Sequence, residues 1–379
     1  MINEERLVSL FKELCLIDAP ALQERDSVEW TKKYLYQIKG LEIWEDQAGE
    51  KIGGNANNVF ARLPGNAPGA PRIFLSAHFD TVEPTAGLQI EERDGTFYST
   101  SDTILGADDK GGMAPAIEAV HALSETGEPH GDVYLLLSCA EEIGLRGAAA
   151  MDLGDLNLDF GYVLDTGPPV GSYVNRTATH DKIDIRIVGK PAHAGKDPEK
   201  GINAVQVLAR AVDGMKLGRI AEETTANIGI VQGGTGTNVV CAEVLIKAEA
   251  RSTSISELDA QVEHMVKRFE EAAREFGAEV FVVHDRHYFS YTVPADAKVV
   301  EVGQRAARAL GMDPVLRTTL GGSDANIFNA MGIPSIVMAT AMEKIHTHEE
   351  CISRQGLIDT ARLAYQVCLE AAKELKTSP

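Results

Sequence analysis

Ile73-Phe74-Leu75-Ser76-Ala77-His78-Phe79-Asp80 is the stretch on which the reading of this chain turns. Its first five residues form a short apolar run compatible with a strand covered on both faces. His78 and Asp80 follow at once. Residues two apart in an extended segment point to the same side, so Asp80 is placed to hydrogen-bond the imidazole and fix its tautomer. Two later runs repeat the design: residues 133–139 lead into Glu141-Glu142, and residues 160–164 lead into Asp165. Ligands of open α/β sheets bind outside the carboxyl ends of strands. Three strands ending in ligand-type residues therefore predict one convergent site.

A fourth cluster, Asp108-Asp109-Lys110-Gly111-Gly112, opens a predicted helix with Met113, Ile117, Val120 and Leu123 as its apolar stripe. Carboxylates with one or two imidazoles suit zinc, manganese or cobalt, and two metals sharing a carboxylate suit hydrolysis. Each cluster alone is a weak signal, since acids after strands are commonly caps or solvated loop residues. Four in order carry the argument. The glycines from Gly106 to Gly112 lack the Walker spacing and flank acids, which excludes a phosphate loop.

Amphipathic helices are predicted over 5–15 and 28–38, and strands then alternate with helices to about Asp165. That order predicts a doubly wound α/β domain. Gly167-Pro168-Pro169 breaks it. From Lys182 the pattern becomes strand 184–188, helix 203–216, strands 225–231 and 244–251, helix 256–276 and strand 279–284. This is the β-α-β-β-α-β order of a ferredoxin-like domain. Helix 297–310, strand 333–338 and helix 355–375 then resume the first pattern. The expected boundaries are 1–177 for the first part of one domain, 178–290 for an insertion, and 291–379 for the remainder.

The formal net charge of −20 argues against a nucleic-acid partner or an anionic membrane surface. Five widely spaced cysteines without a CxxC pattern favour reduced thiols and a cytoplasmic location. The first residues include acids and no long apolar run, so neither a signal peptide nor a membrane span is expected.

The ordered set of motifs resembles the dizinc exopeptidases and amidohydrolases, which include peptidase T, carboxypeptidase G, aminoacylases and succinyl-diaminopimelate desuccinylase. The segments that carry the resemblance are Ser76-Ala77-His78-Phe79-Asp80-Thr81-Val82, Gly106-Ala107-Asp108-Asp109-Lys110-Gly111-Gly112, Ala140-Glu141-Glu142-Ile143-Gly144, Leu164-Asp165, and Ile345-His346 with Glu350-Cys351-Ile352. The nearest branch is the peptidase T-like tripeptidases. The resemblance implies a doubly wound α/β catalytic domain with an inserted ferredoxin-like α+β lid domain, and two divalent metal ions. Zinc is the default, with manganese or cobalt as alternatives.

Residue by residue, the resemblance makes Asp108 the carboxylate shared by both metals. His78 and Asp165 would complete one site, and Glu142 and His346 the other. Asp80 would orient His78, Glu141 would be the general base, and the Asp108-Asp109 peptide would be cis. His346 fits the family's His-x-x-x-Glu spacing with Glu350, although spacing alone leaves His348 open. His193, Asn238 and Arg251 of the insertion, with the turn at Gly321 and Gly322, would bind substrate. As plain sequence, these also read as a turn histidine, a turn Asn, a strand-end Arg and the approach to a Ser323 N-cap.

The implied reaction removes the N-terminal residue from short peptides, tripeptides first. A hydroxide shared by the metals would attack the scissile carbonyl, with Glu141 moving the protons. Asp rather than Glu at 165 tilts the resemblance toward aminopeptidases. An N-acyl amino acid deacylase or a dipeptidase is the alternative. A homodimer paired through a free edge of the inserted sheet is also expected.

Overall fold

Ile73–His78, Val133–Ser138, Phe160–Val163 and Ser335–Met338 are strands in which every residue is buried. In the computed structural model, which describes residues 1–374, they form the centre of an eight-stranded sheet. The strand order is Glu42–Glu45, Val59–Leu63, Val133–Ser138, Ile73–His78, Phe160–Val163, Ser335–Met338, Tyr173–Arg176 and Leu316–Thr318. The four central strands are mutually parallel, while the pairings of Glu42–Glu45 with Val59–Leu63 and of Val59–Leu63 with Val133–Ser138 are antiparallel.

Both faces are covered, as unbroken apolar strands require. Phe74 stands opposite Gly161 in register and packs edge-on against Phe328 of helix Asp324–Ala330. The next pair, Leu75 and Tyr162, points the other way, and the Tyr162 hydroxyl donates to the Val299 carbonyl of helix Lys298–Ala309. Helix Ala107–Thr126 packs on strand Ile73–His78 and against helices Glu4–Cys15 and Arg354–Ala372. The predicted end of that last helix at residue 375 lies outside the described residues.

The chain divides into two units. One comprises Met1–Asn175, Thr292–Thr318 and the residues from Ser323 on; the other comprises Arg176–Tyr291 and Thr319–Gly322. The second unit is a five-stranded antiparallel sheet ordered Gly218–Ala221, Thr224–Gly233, Glu243–Ser252, Thr179–Val188 and Glu279–Tyr288. The last four strands have the ferredoxin-like arrangement, and Gly218–Ala221 is an extra edge strand that the sequence reading missed. Ile183, Ile185 and Ile187 alternate with outward Asp184 and Arg186. They pack with Val207, Met265 and Phe269 of helices Ala204–Val212 and Ile255–Phe276. No helix among the described residues is long and apolar enough to cross a membrane.

One close approach brings two site-bearing elements together. A Cβ at Gly112 would overlap the Leu164 carbonyl and the Asp109 carboxylate, so only glycine lets the helix behind Asp108 lie against the strand end that leads to Asp165. Gly112→Ala is expected to cost about 1–3 kcal/mol of stability by forcing the two apart. Urea unfolding midpoints of the two proteins would measure it, and an unchanged midpoint would refute the packing argument.

Candidate metal centre

His78 ends its strand in register with Ser138. Its backbone N–H donates to Asp109 Oδ2 at 3.2 Å. Its ring lies between two acids. Nδ1 is 2.9 Å from the Asp80 carbonyl and 3.4 Å from Asp80 Oδ1, while Nε2 is 3.2 Å from Asp108 Oδ1. The Asp80 main chain thus makes the closer contact to the imidazole. The Asp80 carboxylate accepts the backbone N–H of Glu141 at 2.9 Å and of Glu142 at 3.0 Å. It joins the His78 strand end to the Glu141-Glu142 turn, a role that the sequence reading did not foresee.

Asp108 faces both ways. Its Oδ2 is 3.1 Å from His346 Nε2, opposite the oxygen that meets His78. His346 Nε2 is also 3.2 Å from Glu142 Oε1, a buried oxygen that has no hydrogen bond. Three sets of ligand-type atoms lie within 4.8 Å of one another: His78, Asp108 and Asp165; Asp108, Glu142 and His346; and His78, Glu141 and Glu142. The first two share Asp108. The third shows that distance alone does not say which acid of the 141–142 pair would ligate.

His346 sits on a connection the sequence reading did not see. A four-stranded antiparallel sheet, ordered Met342–Glu343, Cys351–Ser353, Thr96–Ser99 and Ile90–Arg93, carries it between its first two strands. His346 has a left-handed backbone at φ 64°. Glu350, four residues on, is 1 % exposed and accepts the N–H of Gly106 at 2.7 Å and of Asp108 at 2.9 Å. That gives the His-x-x-x-Glu spacing a physical cause, because the same acid ties the His346 loop to the Asp108 loop. His348 points elsewhere, 3.3 Å from Glu83 and 3.4 Å from Asp102. The Asp108-Asp109 peptide is cis.

The charges are crowded. Burial, and then the Asp108 charge, push the Asp165 carboxyl well above its usual range. Burial also raises Glu141, which His78 partly offsets while Asp165 adds to it. Burial opposes protonation of His78, but hydrogen bonds to Asp108 and Asp80 outweigh it and raise its pKa. Asp324 lies behind this group. Ser138 Oγ donates to its Oδ2, its Oδ1 has no partner, and burial pushes the carboxyl up to about 6. Sequence reasoning saw Asp324 only as the residue after an N-cap. Ser323 is that cap, in a capping box with Asn326. Lys110, 1 % exposed, donates to the Phe79 carbonyl.

The remaining expected residues belong to the second unit. His193 and Asn238 are neighbours there: His193 bridges to Val239, and the Ala194 N–H donates to the Asn238 carbonyl at 2.9 Å. Both are exposed. The Arg251 guanidinium is held by Glu249 at 3.2 and 3.1 Å and by the Leu320 carbonyl at 3.3 Å. His180 Nε2 is 3.0 Å from Glu249 Oε2, and with Arg251 it lowers the Glu249 pKa to about 2. The turn expected to bind substrate is packed within the second unit. The Gly321 N–H already donates to Thr319 Oγ1 at 3.1 Å, and a Cβ at Gly322 would overlap the Tyr288 ring.

Known proteins share this arrangement of chain. The aminopeptidase PepT from Bacillus cereus is 40% identical with a TM-score of 0.87, covering 98% of this chain and 99% of its own. A tripeptidase from Staphylococcus aureus is 36% identical with a TM-score of 0.91, covering 99% and 100%. YqjE of Bacillus subtilis, named as an uncharacterized protein, is 39% identical over 98% of this chain and all of its own. Residues 74–370 match the family described as peptidase family M20/M25/M40, and the chain belongs to that family.

Proposed function

We propose that this chain is a two-metal aminopeptidase that removes the N-terminal residue from short peptides, with tripeptides as its main substrates. The observation that carries the reading is Asp108, whose two carboxylate oxygens face His78 and His346. One carboxylate between two imidazoles is the donor arrangement of a shared ligand. The aminopeptidase and tripeptidase named above, each at least 36% identical along the full chain, support the substrate class. Asp at position 165 supports it as well.

The residues fit two divalent cations. Buried acids that raise one another's pKa need positive charge beside them, and Glu142 Oε1 is a buried oxygen without a hydrogen bond. In this reading His78, Asp108 and Asp165 hold one ion and Asp108, Glu142 and His346 the other. Zinc is the first choice. Bound cations supply Lewis acidity to the carbonyl and lower the pKa of water. Glu141 is left without a metal to hold. Its raised proton affinity suits a general base that takes the proton of the attacking water and passes it to the leaving amine. His193, Asn238 and Arg251 serve substrate binding, with Arg251 suited to the peptide's terminal carboxylate.

A cytoplasmic setting agrees with five free cysteines. Pairing of two copies along the edge strand Glu279–Tyr288 would give the expected dimer. An N-acyl amino acid deacylase or a dipeptidase would use the same chemistry.

A hydrolysis panel of Leu-Gly-Gly, Leu-Gly and N-acetyl-leucine separates the three readings. Fastest turnover of the tripeptide from its amino end is expected, and deacylation without tripeptide cleavage would refute the proposal. Glu141→Gln should lower kcat about 10²–10⁴-fold while metal analysis still finds both ions. His346→Ala should lose one bound ion and most of the activity. His348→Ala should keep both ions, and the reverse result would exchange the two histidines' roles.

A further inference from the structure

The turn that bears Glu141 and Glu142 is held in an unusual way. Four consecutive backbone N–H groups donate to side chains from far along the chain. Cys139 donates to Asn58 Oδ1 at 3.0 Å, and Ala140 to Glu24 Oε1 at 2.9 Å. Glu141 and Glu142 donate to the two oxygens of Asp80. The turn has left the sheet at this point, so no strand partner fixes it. Ala140 has a left-handed backbone at φ 53°, a conformation that a residue with a Cβ keeps only when its surroundings impose it.

Glu24 is the least expected member of this set. It precedes helix Arg25–Leu35 and is 0% exposed. Its Oε1 also accepts the Leu22 N–H at 2.8 Å. Burial raises the pKa of its carboxyl, backbone N–H groups of Glu24, Leu22 and Ala140 lower it and the like charge of Asp80 raises it, and among the described residues no cation forms an ion pair with it. A buried carboxylate without a cation is costly to keep, and here its N–H contacts offset part of that cost. Asn58 completes the clamp from the other side. Its Nδ2 donates to Asp46 Oδ2 at 2.7 Å and to the Gly147 carbonyl at 2.9 Å, and a Cβ at Gly147 would overlap Asn58 Oδ1.

We infer that Glu24 is a positioning residue for catalysis: through the Ala140 N–H it sets where the 141–142 turn places its base and its metal ligand. The inference rests on the roles proposed above for Glu141 and Glu142. It makes Glu24 necessary as a hydrogen-bond acceptor at a fixed reach, not as a charge. Gln keeps the acceptor and the reach. Asp keeps the charge but falls one methylene short. Ala removes both.

The test uses the full-length protein and its Glu24→Gln, Glu24→Asp and Glu24→Ala variants, with three readouts. These are amide hydrogen exchange of the segment around 139–142, zinc affinity by equilibrium dialysis, and kcat and KM for Leu-Gly-Gly. Glu24→Asp and Glu24→Ala should exchange faster in that segment. They should lose about 10- to 100-fold in zinc affinity or kcat, the usual cost of removing a group that orients a metal ligand, with KM little changed. Glu24→Gln should stay close to the unaltered protein in all three. If Glu24→Ala does not fold, the Gln and Asp variants decide. Asp equal to or better than Gln overturns the inference, as does unaltered exchange and affinity in every variant. Should the unaltered enzyme not cleave Leu-Gly-Gly, the proposed substrate fails, while exchange and zinc affinity still judge Glu24.

Discussion

Buried carboxylates that accept backbone N–H groups are the constraint on which the rest of the site depends. Asp80 takes Glu141 and Glu142, Glu350 takes Gly106 and Asp108, Asp109 takes His78, and Glu24 takes Ala140. Every segment that bears a candidate ligand near Asp108, apart from Asp165, is fixed in this way. A carboxylate moved out of water pays a large desolvation cost, and charge-assisted bonds from N–H groups are among the strongest available to offset it. The acids thus fall into two sets. One set holds backbone, and the other brings its ligand-type atoms within 4.8 Å of one another around Asp108 and His78.

That division explains how so many like charges can occupy one place. The scaffold acids have main-chain N–H groups as partners, which offset part of the cost of burial: burial still raises the pKa of Asp109, Glu350 and Glu24, while Asp80, hydrogen-bonded to His78, is lowered. Asp165, Glu141 and Glu142 lack such compensation, and burial raises the proton affinity of the first two. The imidazoles of His78 and His346 supply the nearest positive charge, and hydrogen bonds to Asp108 raise the pKa of both. Divalent cations would replace those protons as the neutralising charge. Glu142 Oε1 among the candidate ligands, and Asp109 Oδ1 and Glu24 Oε2 among the scaffold acids, are buried oxygens without a hydrogen bond.

Much of this could be read in the sequence, and the reasons for what could not are specific. Apolar runs ending at His78, Glu141-Glu142 and Asp165 marked the central strands, because strands covered on both faces leave an unbroken apolar record. The β-α-β-β-α-β order of the inserted unit was legible for a similar reason: Ile183, Ile185 and Ile187 alternate with polar residues. Glu24 and Asn58 left no such trace. Both act through long-range contacts, Glu24 with Ala140 and Asn58 with Cys139 and Gly147, and a single Glu at a helix start reads as solvated. The small sheet that carries His346 was missed because its strands, such as Met342–Glu343 and Cys351–Ser353, are too short to show a period. That Thr319 accepts the Gly321 N–H is likewise a contact that a run of glycines does not show in sequence.

The same constraint bears on the different roles proposed for the two adjacent acids. Neighbouring residues in a free loop would exchange places readily, and a ligand and a base within one flexible pair would be interchangeable. Here one carboxylate, Asp80, accepts both N–H groups with separate oxygens, so neither residue can rotate into the other's position without breaking a buried charge-assisted bond. Ala140, held left-handed on one side, and Gly144, whose N–H donates back to the Glu141 carbonyl at 2.9 Å, close the turn at both ends. With the backbone fixed, the side chain of Glu142 meets His346, while the Glu141 carboxyl lies on the His78 side. On the proposed roles, the difference between two identical side chains would be made by the main chain beneath them, and Asp80 would act through that turn as well as through its contact with the His78 ring.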